Sequence, residues 1–316
     1  MFEELTIAKY HERLLEGSIT TVELVRWYLE RIDSHIDGSG INAVVSVNTA
    51  ALELAAECDE RLSADDGTVR APLHGVPVLV KDQGEVAGMP TTFGNRLFAD
   101  YVPASDATLV AQLKAAGAII LGKTTMCDFA AGWFSSSSLS GHTATAYDTQ
   151  RDSGGSSAGS GAAVGANLCL VAIGEDTGGS VRIPASFNNA CGLRVTTGLI
   201  SRTGFSPLVH FQDTPGPLAR TVDDLARVLD VIAGYDATDQ YTVVATQVSD
   251  VGRMAAGVAP NGRLDAWSVG VLETAFGDAS TPTMAPVTDV VARAISTIAN
   301  AGVGVQRGLE IDDLDG

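Results

Sequence analysis

The chain is poor in lysine, in cysteine and in long apolar runs, and each shortage excludes a class of function. Four lysines (Lys9, Lys81, Lys114, Lys123) stand against sixteen arginines in 316 residues, and the formal net charge is -18. So acidic a surface repels phosphate backbones and anionic lipid headgroups, which excludes nucleic acid and membrane as direct partners. No apolar run reaches the 18 or so residues a membrane-spanning helix needs. The start Met1-Phe2-Glu3-Glu4 is acidic where a signal peptide is positive, so a cytoplasmic location is expected. Cys58, Cys127, Cys169 and Cys191 show neither metal-ligand spacing nor a paired framework and read as reduced, mostly buried thiols. The five histidines are scattered, and neither a metal site nor a cofactor is expected. The glycine cluster at residues 159–165 is one residue off a dinucleotide fingerprint and lacks a P-loop ending; it reads as a helix that packs closely.

What is present is a large apolar content, 45%, enough to bury a sizeable core. Residues 5–65 read as helices. Thr20 and Glu23 have capping-box spacing, and Val22, Val25, Tyr28, Leu29 and Ile32 recur at helical period. Strand-length apolar runs then alternate with helical segments: residues 76–80, a helix over 107–116, residues 118–121, a helix after Ser160, and residues 168–173. This predicts an α/β fold, a mixed β-sheet covered by helices on both faces. A helix is expected over 221–234, a strand over 267–272, a helix over 286–301 and a strand over 303–305. Residues 236–265 read as a long surface connection, and the acidic run 311–315 as a solvated end.

The chemistry concentrates in three stretches. Val76-Pro77-Val78-Leu79-Val80 ends in Lys81; Gly154-Gly155-Ser156-Ser157 follows; Asp176-Thr177-Gly178-Gly179-Ser180 places its serine 24 residues after Ser156. A serine hydroxyl is a weak nucleophile until a base takes its proton, and a lysine serves only if its surroundings keep it neutral. Glycines beside a serine let backbone N–H groups converge on one developing oxyanion. Taken singly, the serines sit in ordinary loop sequence, and Lys81 is a surface charge where a buried strand emerges. Together they describe an acyl-transfer site.

The three stretches, with Gly117-Ala118-Ile119-Ile120-Leu121-Gly122-Lys123-Thr124 and Gly216-Pro217-Leu218-Ala219-Arg220-Thr221-Val222, resemble the amidase signature family of Ser-cisSer-Lys hydrolases over nearly the whole chain. The resemblance implies Ser180 as nucleophile, Ser156 as a bridging serine after a cis peptide, and Lys81 as terminal base. It also implies an oxyanion hole from the N–H groups of Thr177, Gly178, Gly179 and Ser180. Asp176 and Arg182 would be a supporting ion pair, and Glu175 either faces solvent or selects substrate. The expected substrate is a small-molecule amide, with a homodimer left open. Trp133 and Phe134 follow the segment that lines the acyl pocket in the family; they read either as core anchors or as pocket walls.

Gly155-Ser156-Ser157-Ala158-Gly159 also fits G-x-S-x-G, with Ser157 as nucleophile. That chemistry needs an acid and then a histidine downstream; His210, the sole histidine after Ser157, leaves too little chain for the intervening elements. By the resemblance, the domain is a single unit over 1–316: a helical part over 1–65, a catalytic core over 66–235, and the start of a C-terminal part from 236. It stops at Gly316, short of the strands and helices that complete the sheet. Ser153 stands where a proline is usual, Gly192-Leu193-Arg194-Val195-Thr196-Thr197 replaces Gly-Leu-Lys-Pro-Thr, and Thr125-Met126-Cys127-Asp128-Phe129 differs from the Asn-Met-Asp-Glu-Phe pattern of glutaminyl-tRNA amidotransferases, in their A-type catalytic chain. That chain is the alternative reading, along with a catalytically silent interaction module.

Overall fold

The computed structural model describes residues 2–36, 40–64, 69, 71–258, 264–278 and 280–311. The acidic run 312–315 lies outside the described residues. Two compact units are present, Met1–Val258 and Ala259–Gly316.

In the first unit, α1 (Ile7–Leu15) and α2 (Thr21–Ile36) open the chain. The capping box forms as written: Thr20 N–H donates to Glu23 Oε2 at 2.8 Å and Glu23 N–H to Thr20 Oγ1 at 3.1 Å. Asp59 of α3 (Ala51–Ala64) adds a carboxylate at the positive end of α2, accepting from Thr21 N–H at 2.8 Å and Val22 N–H at 3.1 Å. Leu24, Val25, Tyr28 and Ile32 line the buried face of α2. Between α2 and α3 the all-helical expectation fails, because Val44–Val47 forms strand β1. With four residues and an antiparallel partner on one side only, β1 is too short for its alternation to stand out from the flanking helices.

β2 (Pro77–Lys81), β3 (Ile119–Thr124) and β4 (Val171–Asp176) are buried along their whole length. β2 pairs in parallel with both β3 and β4, the setting in which continuous Val/Ile/Leu runs are expected. β5 (Cys191–Gly192) is two residues long and pairs with β6 (Thr214–Ala219), which in turn runs antiparallel to β4, giving the order β1-β3-β2-β4-β6-β5. The sheet is therefore mixed, as expected. Helices α4 (Thr108–Ala115), α5 (Ala158–Gly165), α6 (Arg182–Phe187) and α7 (Val222–Ile232) complete the unit, with α3, α4, α5 and α7 packed on the strands. α5 is nearly all small residues because it has no room for others. A Cβ at Gly159 would lie 2.5 Å from Thr125 N, and one at Gly161 2.6 Å from Pro184 O.

The segment read as a surface connection is partly ordered into the core. Residues 240–247 form a 3₁₀ helix with Thr242 and Ala245 buried. Asp236 accepts from the Ser201 hydroxyl at 2.6 Å and the Thr108 hydroxyl at 2.7 Å, and Asp239 pairs with the buried Arg202. In the second unit, β7 (Ser268–Gly270) and β8 (Gly304–Gln306) pair in parallel across α8 (Ala285–Asn300).

Candidate active site

Parallel strands deliver their C-terminal ends to the same edge of a sheet, the usual location of a ligand site in α/β folds. Here β2 ends at Lys81, β3 at Thr124 and β4 at Asp176. The Lys81 side chain turns inward and is fully buried, contrary to the surface-charge reading. Its Nζ lies 2.8 Å from Ser156 Oγ and donates to Glu175 O at 3.3 Å. Burial pushes its pKa down to about 8, against the opposing pull of the Glu175, Cys127, Asp176 and Asp213 charges.

A second buried lysine shows the contrast. Lys123 Nζ sits 3.2 Å from Asp82 Oδ1 and donates to Thr91 Oγ1 at 2.9 Å. Among the described residues no carboxylate comes within ion-pair distance of Lys81, in contrast to Lys123.

Ser156 follows a cis peptide from Gly155 and is fully buried ahead of α5. Trp133 O accepts the Gly155 N–H at 2.7 Å, and the Phe134 backbone packs where a Gly155 side chain would be, 2.6 Å from the Cβ position. Ser153, in the place of a proline, is buried and bonded: its hydroxyl donates to Ala158 O at 2.7 Å and accepts from Asn188 Nδ2 at 3.0 Å. Ser157, the alternative nucleophile, has its hydroxyl between the N–H and C=O of Glu175, at 3.2 Å from each, and is committed to β4.

Ser180 stands between β4 and α6, 3% exposed, and its carbonyl accepts the Ser157 N–H at 3.2 Å. Among the described residues no hydrogen bond joins Ser156 Oγ to the Ser180 hydroxyl. Catalytic contacts of this kind often close only when substrate is bound.

The loop before Ser180 is organised by Asp176. Its Oδ1 accepts from Gly179 N–H at 2.7 Å, Arg182 at 3.2 Å and Arg194 at 3.0 Å; its Oδ2 accepts from Val181 N–H at 3.0 Å, Arg182 N–H at 3.3 Å and Arg182 Nε at 3.1 Å. Burial alone would raise this carboxyl; the Arg182, Val181 and Gly179 hydrogen bonds outweigh it and hold the pKa at about 2. The Gly179 N–H points at Asp176, so of the four expected oxyanion donors it is already engaged.

Arg194 is the residue that sequence reasoning misses. In the sequence it stands out only as a departure from a lysine-containing pattern, yet it donates to the Asp176 carbonyl and, at 3.1 Å, to the Thr177 carbonyl, and reaches Gln212 O at 2.9 Å. A cation retained at the lysine position is the available signal. Asp213 is a second such residue: it accepts the Thr177 hydroxyl at 2.5 Å and the N–H groups of Leu208 and Val209.

Trp133 and Phe134 are 60% and 65% exposed, so neither ring is a core anchor. Trp133 Nε1 lies 3.8 Å from where a Gly178 Cβ would be, beside the loop that leads to Ser180. Among the described residues no group of histidine, cysteine and acidic side chains is arranged to hold a metal, and no helix is long and apolar enough to cross a membrane.

Comparison with known proteins agrees on one family. The amidase family model matches residues 23–308. The A-type chain of the glutamyl-tRNA(Gln) amidotransferase of Chlorobium chlorochromatii is 43% identical over 269 residues, covering 85% of this chain and 55% of the relative. Its counterpart in Methanosarcina barkeri is 40% identical over 243 residues, covering 77% and 49%. Among solved structures, the peptide amidase of Stenotrophomonas maltophilia superposes with a TM-score of 0.86 at 35% identity, covering 97% of this chain and 62% of that one. An amidase family protein of Bacillus anthracis gives 0.85 at 28%, covering 98% and 61%. The chain thus spans about half the length of the curated relatives it matches.

Proposed function

The chain belongs to the amidase family, and from that premise we propose that it is a serine amidohydrolase that cleaves a carboxylic amide without a cofactor. The observation that carries the reading is Lys81: fully buried, 2.8 Å from Ser156 Oγ and free of a carboxylate partner among the described residues. A neutral Lys81 takes the Ser156 proton as Ser156 takes that of Ser180. Ser180 Oγ then bonds to the amide carbon, and the tetrahedral oxyanion is held by the N–H groups of Thr177, Gly178 and Ser180. Each such donor contributes about 2.7 to 4 kcal/mol in systems where it has been removed. Collapse breaks the C–N bond, the relay returns the proton to the leaving nitrogen, and water releases the acid by the reverse path. Asp176, Arg182 and Arg194 hold the donor loop, and Trp133 with Phe134 flank the acyl side.

A second reading, favoured by the 43% identity to the Chlorobium protein, is the A-type chain of a tRNA-dependent amidotransferase, which would require partner subunits. In either reading the protein works in the cytoplasm on a small amide. A serine-directed phosphonate probe tests the chemistry: it should attach to Ser180 and leave the folded Ser180→Ala variant unmarked. Equal labelling of both proteins, or none of the parent, would refute the nucleophile. A panel of primary amides, peptide amides and glutamine, assayed on the chain alone, separates the two readings.

A further inference from the structure

Next to the relay lies a cavity of about 490 Å³ that Glu175, Arg202, Thr203, His210, Asp213 and Asp239 help to line. Three of its four charged side chains are committed. Arg202 and Asp239 form a buried ion pair, and both oxygens of Asp213 accept backbone N–H groups. Asp176, the neighbouring acid on β4, is filled by two arginines and three N–H groups. Glu175 is different. Its side chain is 2% exposed, and Oε1 is buried without a hydrogen-bond partner. A carboxyl buried in that way weakens a fold, so its presence needs a cause other than packing.

The cause lies one contact away. Lys81 Nζ is hydrogen-bonded to the Glu175 carbonyl, and the Glu175 carboxyl is the strongest source of charge acting on Lys81. The other groups that face the pair are Cys127 from the segment after β3, Asp176 on β4, Asp213 ahead of β6 and Arg202.

We propose that Glu175, which helps to line this cavity, is a positioning residue whose carboxyl sets the protonation state of Lys81. The inference rests on the amidase reading for its purpose but not for its physics. Lys81 and Glu175 together carry a net charge of zero in two forms, ammonium with carboxylate or amine with carboxylic acid. Passing from the first to the second breaks one N–H bond and makes one O–H bond, and nothing enters or leaves the site. Only the second leaves Lys81 a lone pair for Ser156. Burial favours it, pushing the Glu175 carboxyl up as it pushes Lys81 down. Removing the carboxylate charge withdraws what holds a proton on Lys81, and its titration must move to lower pH.

With four lysines in the chain, the experiment is direct. The full chain is labelled with lysine carrying carbon-13 at the ε position, Lys81 is assigned with Lys81→Met, and its midpoint is followed by NMR in the parent and in Glu175→Gln. The expected result is a Lys81 midpoint about one pH unit lower in the variant, with the acid limb of kcat/KM moving by the same amount. If Glu175→Gln does not fold, Glu175→Ser is titrated in its place. A midpoint that stays where the parent has it overturns the inference, whatever the activity. A midpoint that moves in a protein that turns over no amide upholds it and refutes the amidase reading instead. A purely structural Glu175 would change stability and leave the midpoint alone.

Discussion

Replacing Asp176 by asparagine keeps the shape of the side chain and turns one acceptor oxygen into a donor. The asparagine can present its remaining oxygen to Gly179 and Arg194, where Asp176 Oδ1 accepts at 2.7 and 3.0 Å. Its amide nitrogen then faces the N–H groups of Val181 and Arg182, which in the parent donate to Oδ2 at 3.0 and 3.3 Å. The Arg182 guanidinium is half exposed and can turn to water, so only the two N–H groups count in full. Hydrogen bonds to a charged acceptor contribute about 1.5 to 3 kcal/mol each, and the longer of these is weak, so a loss of about 2 to 4 kcal/mol is expected. The titration gives a similar figure by another route: a carboxyl lowered from 3.8 to about 2 corresponds to about 2.5 kcal/mol, less some solvent screening at Arg182. That stabilisation is complete above about pH 4 and fades as pH falls through about 2, because the folded state prefers the ionised carboxylate. The assay is urea denaturation of the parent and Asp176→Asn from pH 7 to pH 2, with Arg182→Gln as a surface control expected to lose no more than about 1 kcal/mol. The stability gap should be largest at neutral pH and close in acid. A gap below about 0.5 kcal/mol at pH 7, or one that keeps its size down to pH 2, would refute the role given to Asp176.

Three further substitutions probe the surroundings of Ser156 and Ser180. In Gly155→Ala the new Cβ meets the Phe134 backbone, oxygen at 2.6 Å and carbon at 3.0 Å, so a loss of about 1 to 3 kcal/mol is expected together with turnover, measured by calorimetry and kcat/KM; an active, undiminished variant would mean the turn is looser than described. For the two exposed rings, Trp133→Ala or Phe134→Ala should lower the preference for benzamide-like over acetamide-like substrates by roughly tenfold, since burying an aromatic group contributes on the order of 1.5 to 3 kcal/mol; if both variants keep the parent's ratio of kcat/KM, the acyl group binds elsewhere.

Much of this is legible in the sequence alone. The capping box at Thr20 and Glu23, the Val76 to Lys81 run and the spacing of Ser156 and Ser180 are local patterns, and local patterns survive into structure because short-range physics dictates them. β6 does not read as a strand, since Pro215 and Pro217 argue against one; it is tolerated beside a two-residue β5, where few ladder bonds are lost. The apolar run that marks β4 ends at Ile173, whereas the strand continues through Glu175 and Asp176, buried polar positions that hydropathy reads as loop. Arg194 and Asp213 cannot be assigned from spacing, because their partners, Asp176 and Thr177, are reached only once the sheet has formed. The exposure of Trp133 and Phe134 belongs to the same class, for an aromatic pair in sequence carries no mark of which way it faces.

The placement of Lys81 on a strand flanked by parallel neighbours also governs time. Parallel pairing demands a crossover for every pair, and the contact from Lys81 to Ser156 closes a loop of 75 residues. The α1 and α2 helices can form from neighbours in the chain within microseconds, whereas the relay exists only after β2 has found β3 and β4 across long stretches of unordered polypeptide. The contact between Lys81 and Ser156 therefore bears a loop-closure cost that the local helices do not, and it forms only in a chain whose sheet has assembled.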